Sequence, residues 1–293
     1  MRAPLTKLAR PSGALAMVAV DQREALRGMF AAHQSTPVPD SQLTQFKVDV
    51  ARELSPYASA LLVDQEFGID AIINQGALNK NCGLIAAADL LVGPAGGAAT
   101  DTAVDPEVDP IRMRDLNSVG LKFLVLWRND ESPDDRAKLV AEFNKLCQIS
   151  GLPSIIEIIV KPPTDSSKNF NREEELIIAA REAASWKPDL YKAEVPFHGE
   201  GDHSLITKNA ERISEAIGSP WVVLSNGVKQ PFFNDAVKAC AKGGASGFLA
   251  GRAVWADIVG ASDIPKALRE KSIPRLEQLA EIVDTYAKPW SAW

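Results

Sequence analysis

Lys192 stands inside the run Asp189-Leu190-Tyr191-Lys192-Ala193-Glu194-Val195-Pro196, an apolar-leaning strand pattern that stops at a proline. Burying an ammonium is costly, so such a lysine tends to give up its proton, and the neutral amine is a nucleophile that condenses with carbonyl carbons to a Schiff base. On a strand taken alone, an exposed edge-strand cation is the competing reading. Two further charged residues shift the balance. Lys122 lies in Lys122-Phe123-Leu124-Val125-Leu126-Trp127 and Glu157 in Ser154-Ile155-Ile156-Glu157-Ile158-Ile159-Val160, and both runs read as strands buried on two faces. The three positions are 35 residues apart, with one helical pattern in each gap, so they occupy corresponding places in successive strand-plus-helix units. Because side chains alternate along a strand, Ile155, Glu157 and Ile159 share one face and Leu190, Lys192 and Glu194 another, which lets all three charges meet in a common interior.

The elements that must hold them repeat along the whole chain. Strands are expected at 15–20, 60–63, 82–88, 121–127, 154–160, 189–195, 221–224 and 246–250, with amphipathic helices between them at 134–149, 172–184 and 230–242 and a closing helix pair within 264–287. Eight such units in 293 residues predict a single-domain α/β protein spanning 1–293, a (β/α)₈ TIM barrel with a parallel sheet. An open doubly wound sheet is the runner-up, but its first strand would run into a glycine-rich turn, whereas here it runs into Asp21-Gln22-Arg23. The glycines at 93–97 follow the third strand without the G-x-G-x-x-G spacing and read as a flexible loop rather than a phosphate cradle.

A second motif lies at the opposite end of the chain. Gly251 and Arg252 follow the eighth strand and Ser225-Asn226-Gly227 follows the seventh, the position where many such barrels bind phosphate. Arg252 would add a bidentate cation; a rim arginine held by a salt bridge is the bland alternative.

Composition narrows the setting. Hydrophobic residues make up 46% and charged residues 24%, enough to bury a large core, and a formal charge of −6 leaves no basic stripe for nucleic acid. Arg2, Lys7 and Arg10 ahead of a short apolar run superficially resemble a signal peptide, but Asp21 ends that run without a cleavage region, so it reads as the first strand. No stretch approaches a membrane helix. Cys82, Cys147 and Cys240 lack paired spacing and suit free buried thiols in a reducing cytoplasm. His198 and His203 flank Gly199-Glu200-Gly201-Asp202, yet with only one other histidine, His33, far away in sequence, neither a metal nor any other cofactor is expected.

The segments Ala19-Val20-Asp21-Gln22-Arg23, Ser55-Pro56-Tyr57-Ala58-Ser59, Leu190 to Pro196 and Gly251-Arg252-Ala253-Val254-Trp255-Ala256 resemble the class I tagatose-1,6-bisphosphate aldolase family over nearly the full length. Within it, the Leu-Val-Leu-Trp-Arg text ending at Arg128, Lys161-Pro162-Pro163 and Ala245 to Arg252 resemble most the sulfofructose-phosphate aldolases. The family text departs from this chain over 90–106 and at Asn226, where alanine or serine is usual. The resemblance implies cleavage of 6-deoxy-6-sulfofructose 1-phosphate to dihydroxyacetone phosphate and 3-sulfolactaldehyde. It makes Lys192 the Schiff-base lysine, Glu157 the acid/base residue, Lys122 and Asp21 their active-site partners and Arg252 a phosphate ligand.

A cationic Lys122 nearby would lower the proton affinity of Lys192. Gln22, Arg23, Arg128 and Lys161 are candidates for the distal sulfonate, each equally readable as a solvated rim residue. The same chemistry on tagatose or fructose 1,6-bisphosphate is the second reading and a catalytically idle sugar-phosphate sensor the third. The expected partners are small sugar phosphates or sulfonates, with no nucleic acid or membrane, and a homo-oligomer, dimer or tetramer, is the expected assembly.

Overall fold

The computed structural model describes residues 4–293, so Arg2 of the basic amino-terminal stretch lies outside the described residues. Eight strands close into a parallel barrel: β1 Leu15–Ala19, β2 Ala60–Val63, β3 Gly83–Ala87, β6 Gly120–Trp127, β7 Ser154–Val160, β8 Leu190–Glu194, β9 Trp221–Leu224 and β10 Gly247–Ala250. They follow one another around the ring in chain order, and β10 closes on β1 through Leu15 opposite Gly247. Between β3 and β6 the chain adds an antiparallel hairpin, β4 Asp89–Val92 and β5 Asp101–Val104, which pairs only with itself.

The helices are α1 Glu24–Ala31, α2 Asp40–Leu54, α3 Asp70–Asn74, α4 Pro110–Asp115, α5 Pro133–Ser150, α6 Arg172–Trp186, α7 His203–Ile217, α8 Gln230–Lys242, α9 Arg252–Trp255, α10 Ile264–Ala267 and α11 Ile273–Tyr286. Several start where a short polar side chain can take an orphan backbone N–H. Ser132, Asn171 and Asp202 accept from Asp135, Glu173 and Ser204 at the heads of α5, α6 and α7. The expected closing pair is instead a continuous run. α10 passes into α11 through one wide π turn, Leu268–Ser272, because Pro274 cannot supply a helical N–H and the ladder widens around it.

Alternation along the strands divides the barrel into levels. Leu15, Met17, Ala60, Leu62, Ile85, Ile155, Leu190, Val222 and Leu249 fill the interior, and Leu5 and Leu8 plug its amino-terminal end. Nearer the mouth, Leu124, Leu126, Ile159 and Leu224 form a smaller apolar layer. The ionisable Lys122, Glu157 and Lys192 stand between these layers, within β6, β7 and β8.

Candidate active site

The register shows how the charges meet. Glu157 pairs with Lys192 across β7 and β8, but its partner on β6 is Leu124, two residues beyond Lys122. Equal spacing therefore does not put the three residues at one level. Lys122 starts about 6–7 Å lower, two strand residues, and its four-carbon stem spans the difference. Its Nζ donates to Asp21 Oδ2 and Asp89 Oδ2, both at 2.9 Å, and stands 2.8 Å from Glu157 Oε2. The same Glu157 oxygen accepts from Lys192 Nζ at 2.9 Å. Both lysines are almost wholly buried, at 2% exposure for Lys122 and 4% for Lys192.

Three carboxylates thus surround two amines in a low-dielectric pocket, and Lys122 is held ionised together with Asp21 and Glu157. Burial, the largest single influence, pushes the Lys122 ammonium down, yet Asp21, Asp89 and Glu157 together hold it well above the usual lysine range. Burial likewise pushes the carboxyls of Asp21 and Glu157 up, and Lys122 followed by Lys192 brings both below their ordinary values. Lys122 is consequently a fixed cation.

The cluster forms the floor of a cavity of about 150 Å³. Ala25, Leu91, Ala98, Ala99, Leu124, Leu126 and Ile159 provide apolar walls, Leu91, Ala98 and Ala99 coming from the hairpin and its tip. The tip reaches α1, where Gly96 donates its N–H to Glu24 Oε2 at 2.9 Å. A Cβ on Gly28 would stand 2.1 Å from the carbonyl oxygen of Gly96, so only glycine permits this approach. Two cations face the cavity without an acidic partner among the described residues: Lys161, one step beyond β7, and Arg252, whose guanidinium donates to Asn226 Oδ1. Asn226 in turn donates to Glu194 Oε1 at 3.3 Å, which anchors its amide. Gln22 also lines the cavity, and its buried Oε1 has no donor among the described residues.

Residues 15–257 match the DeoC/LacD family aldolase. The chain belongs to that family. It is an aldolase, a carbon-carbon lyase. Curated relatives include a tagatose 1,6-diphosphate aldolase of Streptococcus agalactiae, 27% identical over 98% of this chain and 96% of the relative, and one of Staphylococcus haemolyticus, 28% identical over 99% and 97%. Among solved structures, a Schiff-base-forming fructose-1,6-bisphosphate aldolase superposes with a TM-score of 0.63 at 14% identity, covering 95% of this chain and 99% of that one. The fructose-bisphosphate aldolase of Slackia heliotrinireducens gives 0.62 at 19% identity over 93% and 86%. These neighbours share the barrel.

In this aldolase the structure brings Asp21, Gln22, Lys122, Glu157, Lys161, Lys192, Asn226 and Arg252 to one cavity. Ser225 and Gly227 support its rim. Ser225 Oγ accepts the Ala253 N–H at 3.4 Å, and Gly227, at φ 76°, lets the His198 ring pack where a Cβ would stand 2.4 Å from Nδ1. Gly251 packs against Ala19 behind Arg252.

Two of the distal candidates do not reach the cavity. Arg23 is buried behind it, 3.5 Å from Asp89 Oδ1 and 3.9 Å from Glu66, and Arg128 is paired with Glu131 at 2.7 Å in a neighbouring cleft. The adjacent Trp127 turns outward to Glu182, as the alternation from Leu126 requires. Of the two loop histidines, His198 packs on Gly227 and His203 opens α7. Among the described residues no group of three or more His, Cys, Asp or Glu side chains is placed to hold a metal ion, and no helix is long and apolar enough to cross a membrane. Cys82, Cys147 and Cys240 are free and buried, in line with the sequence reading.

Asp89 was missed by the sequence reading although its signal is present. Continuing the inward phase of Ile85 and Ala87 by one step places its carboxylate in the barrel, beyond the 82–88 limit assigned to that strand. Besides Lys122 it accepts the Leu124 N–H at 3.0 Å, so it ties β6 to the root of the hairpin.

Coupling within the cluster gives a test by pH. Asp21 and Glu157, held below their ordinary values, contribute stability that is present above the usual carboxylate range and lost as pH falls through their depressed values. Lys122, held above its range, contributes at all lower pH and loses its share only as pH rises through its raised value. In Lys122→Met the three carboxylates share one neighbouring amine, so the values of Asp21 and Glu157 rise and ionising them becomes a cost. The urea-unfolding gap between wild type and Lys122→Met is expected to widen as pH rises from about 4 to about 7 and to reach roughly 3–5 kcal/mol. A gap independent of pH over that interval would contradict the assigned charges.

Proposed function

We propose that this aldolase works by Schiff-base chemistry on Lys192 and cleaves a ketose 1-phosphate that carries a second anion at its far end. The observation that supports this most is the buried Lys192 amine 2.9 Å from Glu157, on the floor of a cavity walled by two cations that lack acidic partners among the described residues. Lys192 Nζ adds to the C2 carbonyl, and loss of water leaves an iminium. Glu157 takes the proton of the C4 hydroxyl, the C3–C4 bond breaks, and its electron pair passes to the iminium nitrogen as an enamine while the C4 fragment departs as an aldehyde. Protonation at C3 and hydrolysis then return the lysine and dihydroxyacetone phosphate. Lys122 holds Glu157 and Asp21 in place, and Arg252, steadied by Asn226, takes the C1 phosphate.

The favoured substrate is 6-deoxy-6-sulfofructose 1-phosphate, releasing 3-sulfolactaldehyde. A sulfonate is a monoanion, and one cation, Lys161, together with Gln22 and apolar walls suits it better than a phosphate that is nearly a dianion. Tagatose or fructose 1,6-bisphosphate is the second reading, favoured by the curated relatives that are tagatose 1,6-diphosphate aldolases. Side-by-side kcat/KM on the three sugars separates them, and a preference for either bisphosphate would remove the sulfonate. Lys161→Ala is expected to cost about 1.5–3 kcal/mol in transition-state binding of the preferred sugar. Arg252→Ala should weaken every C1 phosphate, including dihydroxyacetone phosphate in the reverse direction. A Lys161→Ala variant that leaves kcat/KM unchanged would exclude that lysine as the distal ligand.

A further inference from the structure

Lys47 is a fully buried lysine that none of the steps above employs. It lies on α2, outside the barrel wall, with 0% exposure. Its ammonium has three protons and three acceptors: Val20 O at 2.6 Å, Gln22 O at 2.7 Å and the carboxylate of Asp64. Asp64 follows β2 and is itself fixed, since its Oδ1 accepts the Phe67 N–H at 2.8 Å. The two carbonyls flank Asp21. The barrel ladder reaches this segment as Val20 N–H to Leu62 O, and beyond it the chain turns away from β1 into α1. Val20 O and Gln22 O thus find in Lys47 the donor that a continuing strand would have supplied.

The geometry points to Lys47 as a positioning residue for the active site, an internal clamp that holds the Asp21-Gln22 backbone so that the Asp21 carboxylate meets Lys122 and the Gln22 amide faces the cavity. A clamp of this kind needs a donor with several protons on a long stem, reaching through packed apolar surroundings, and Asp64 offsets its charge there. The alternative is an ion pair that serves only stability. The two differ in what replaces the pair. A buried ion pair can often be exchanged for apolar side chains of similar volume without loss of stability, but apolar side chains cannot bond two carbonyls.

This inference rests on the Lys192 reading, so the experiment records both. Wild type, Lys47→Met, Asp21→Asn, Lys47→Met/Asp21→Asn and Lys47→Met/Asp64→Leu are compared for Tm, for kcat and KM in aldol cleavage, and for borohydride-trapped dihydroxyacetone phosphate on Lys192. The paired replacement removes the uncompensated Asp64 charge and is expected to recover part of the Tm lost in Lys47→Met, the two carbonyls and the Phe67 N–H remaining unbonded, while kcat stays about 10- to 100-fold down and Lys192 still forms its adduct. The loss in Lys47→Met should also be largely absent when Asp21 is already asparagine, because the clamp acts through that carboxylate. If Lys47→Met fails to fold, the paired replacement carries the comparison alone. Recovery of both Tm and kcat in the paired replacement, or full additivity of Lys47→Met with Asp21→Asn, would overturn the clamp. Absence of the Lys192 adduct in wild type would instead overturn the Schiff-base reading.

Discussion

Dihydroxyacetone phosphate followed by borohydride is expected to inactivate the protein and to leave one reduced adduct, found by peptide mapping on Lys192. The iminium has a C=N bond that hydride reduces to a stable secondary amine, and the lysine is lost as a nucleophile. Selectivity should come from the site rather than from reactivity in general. The Lys192 amine faces the cavity beside an acceptor, Glu157, whereas the buried Lys122 is held as an ammonium by Asp21, Asp89 and Glu157. Lys192→Met should abolish the adduct and lower kcat by at least about 10⁴-fold, since no other group supplies the electron sink. An adduct confined to another lysine, or none despite measurable aldol turnover, would take Lys192 out of its role.

Glu157→Gln should separate the two halves of the chemistry. The amide keeps the shape of the carboxylate and can still accept from Lys122 and Lys192, but it cannot take the proton of the C4 hydroxyl. Carbon-carbon cleavage is expected to fall by about 10² to 10⁴, while trapping of dihydroxyacetone phosphate on Lys192 falls much less. Loss of this carboxylate also removes one of the three anions around Lys122, leaving Asp21 and Asp89 to hold it. Single-turnover cleavage and borohydride trapping on the same preparation decide the matter. Cleavage that survives nearly intact would assign the base to another group.

Why some of this was legible in the sequence and some was not follows from range. Period-two alternation is local, so the inward phase of Leu190, Lys192 and Glu194, or of Ile155, Glu157 and Ile159, can be read from a handful of neighbours, and eight such runs separated by helical patterns specify a barrel. Lys192, Glu157 and Lys122 stand out in this way, Asp21 through the family resemblance, and the four do meet, because a closed parallel barrel leaves inward side chains one shared interior. Inter-strand register is not local. The two-residue offset that pairs Glu157 with Leu124, not Lys122, belongs to the stagger of the closed sheet and appears only when the ring is complete.

The direction of loop cations is likewise beyond a one-dimensional pattern. Arg23, Arg128 and Lys161 read alike as basic residues following strands, yet Lys161 faces the cavity, Arg23 is buried behind it near Asp89, and Arg128 is held by Glu131. Arg23 meets carboxylates from distant segments, Arg128 meets one three residues along its own loop, and Lys161 meets none among the described residues. The glycine-rich stretch expected to be a flexible loop forms the tip of a hairpin docked on α1, because Gly28 lacks the Cβ that would block Gly96. Lys47 is the extreme case. Nothing near it in the chain marks α2 as a support for Asp21, and the connection exists only because the helix packs against the end of β1, where two carbonyls have left their ladder. The amino-acid sequence by itself determined which side chains point inward and what chemistry they can do. The tertiary structure decided which charges neutralise one another, because burial makes that pairing obligatory and only packing chooses the partners.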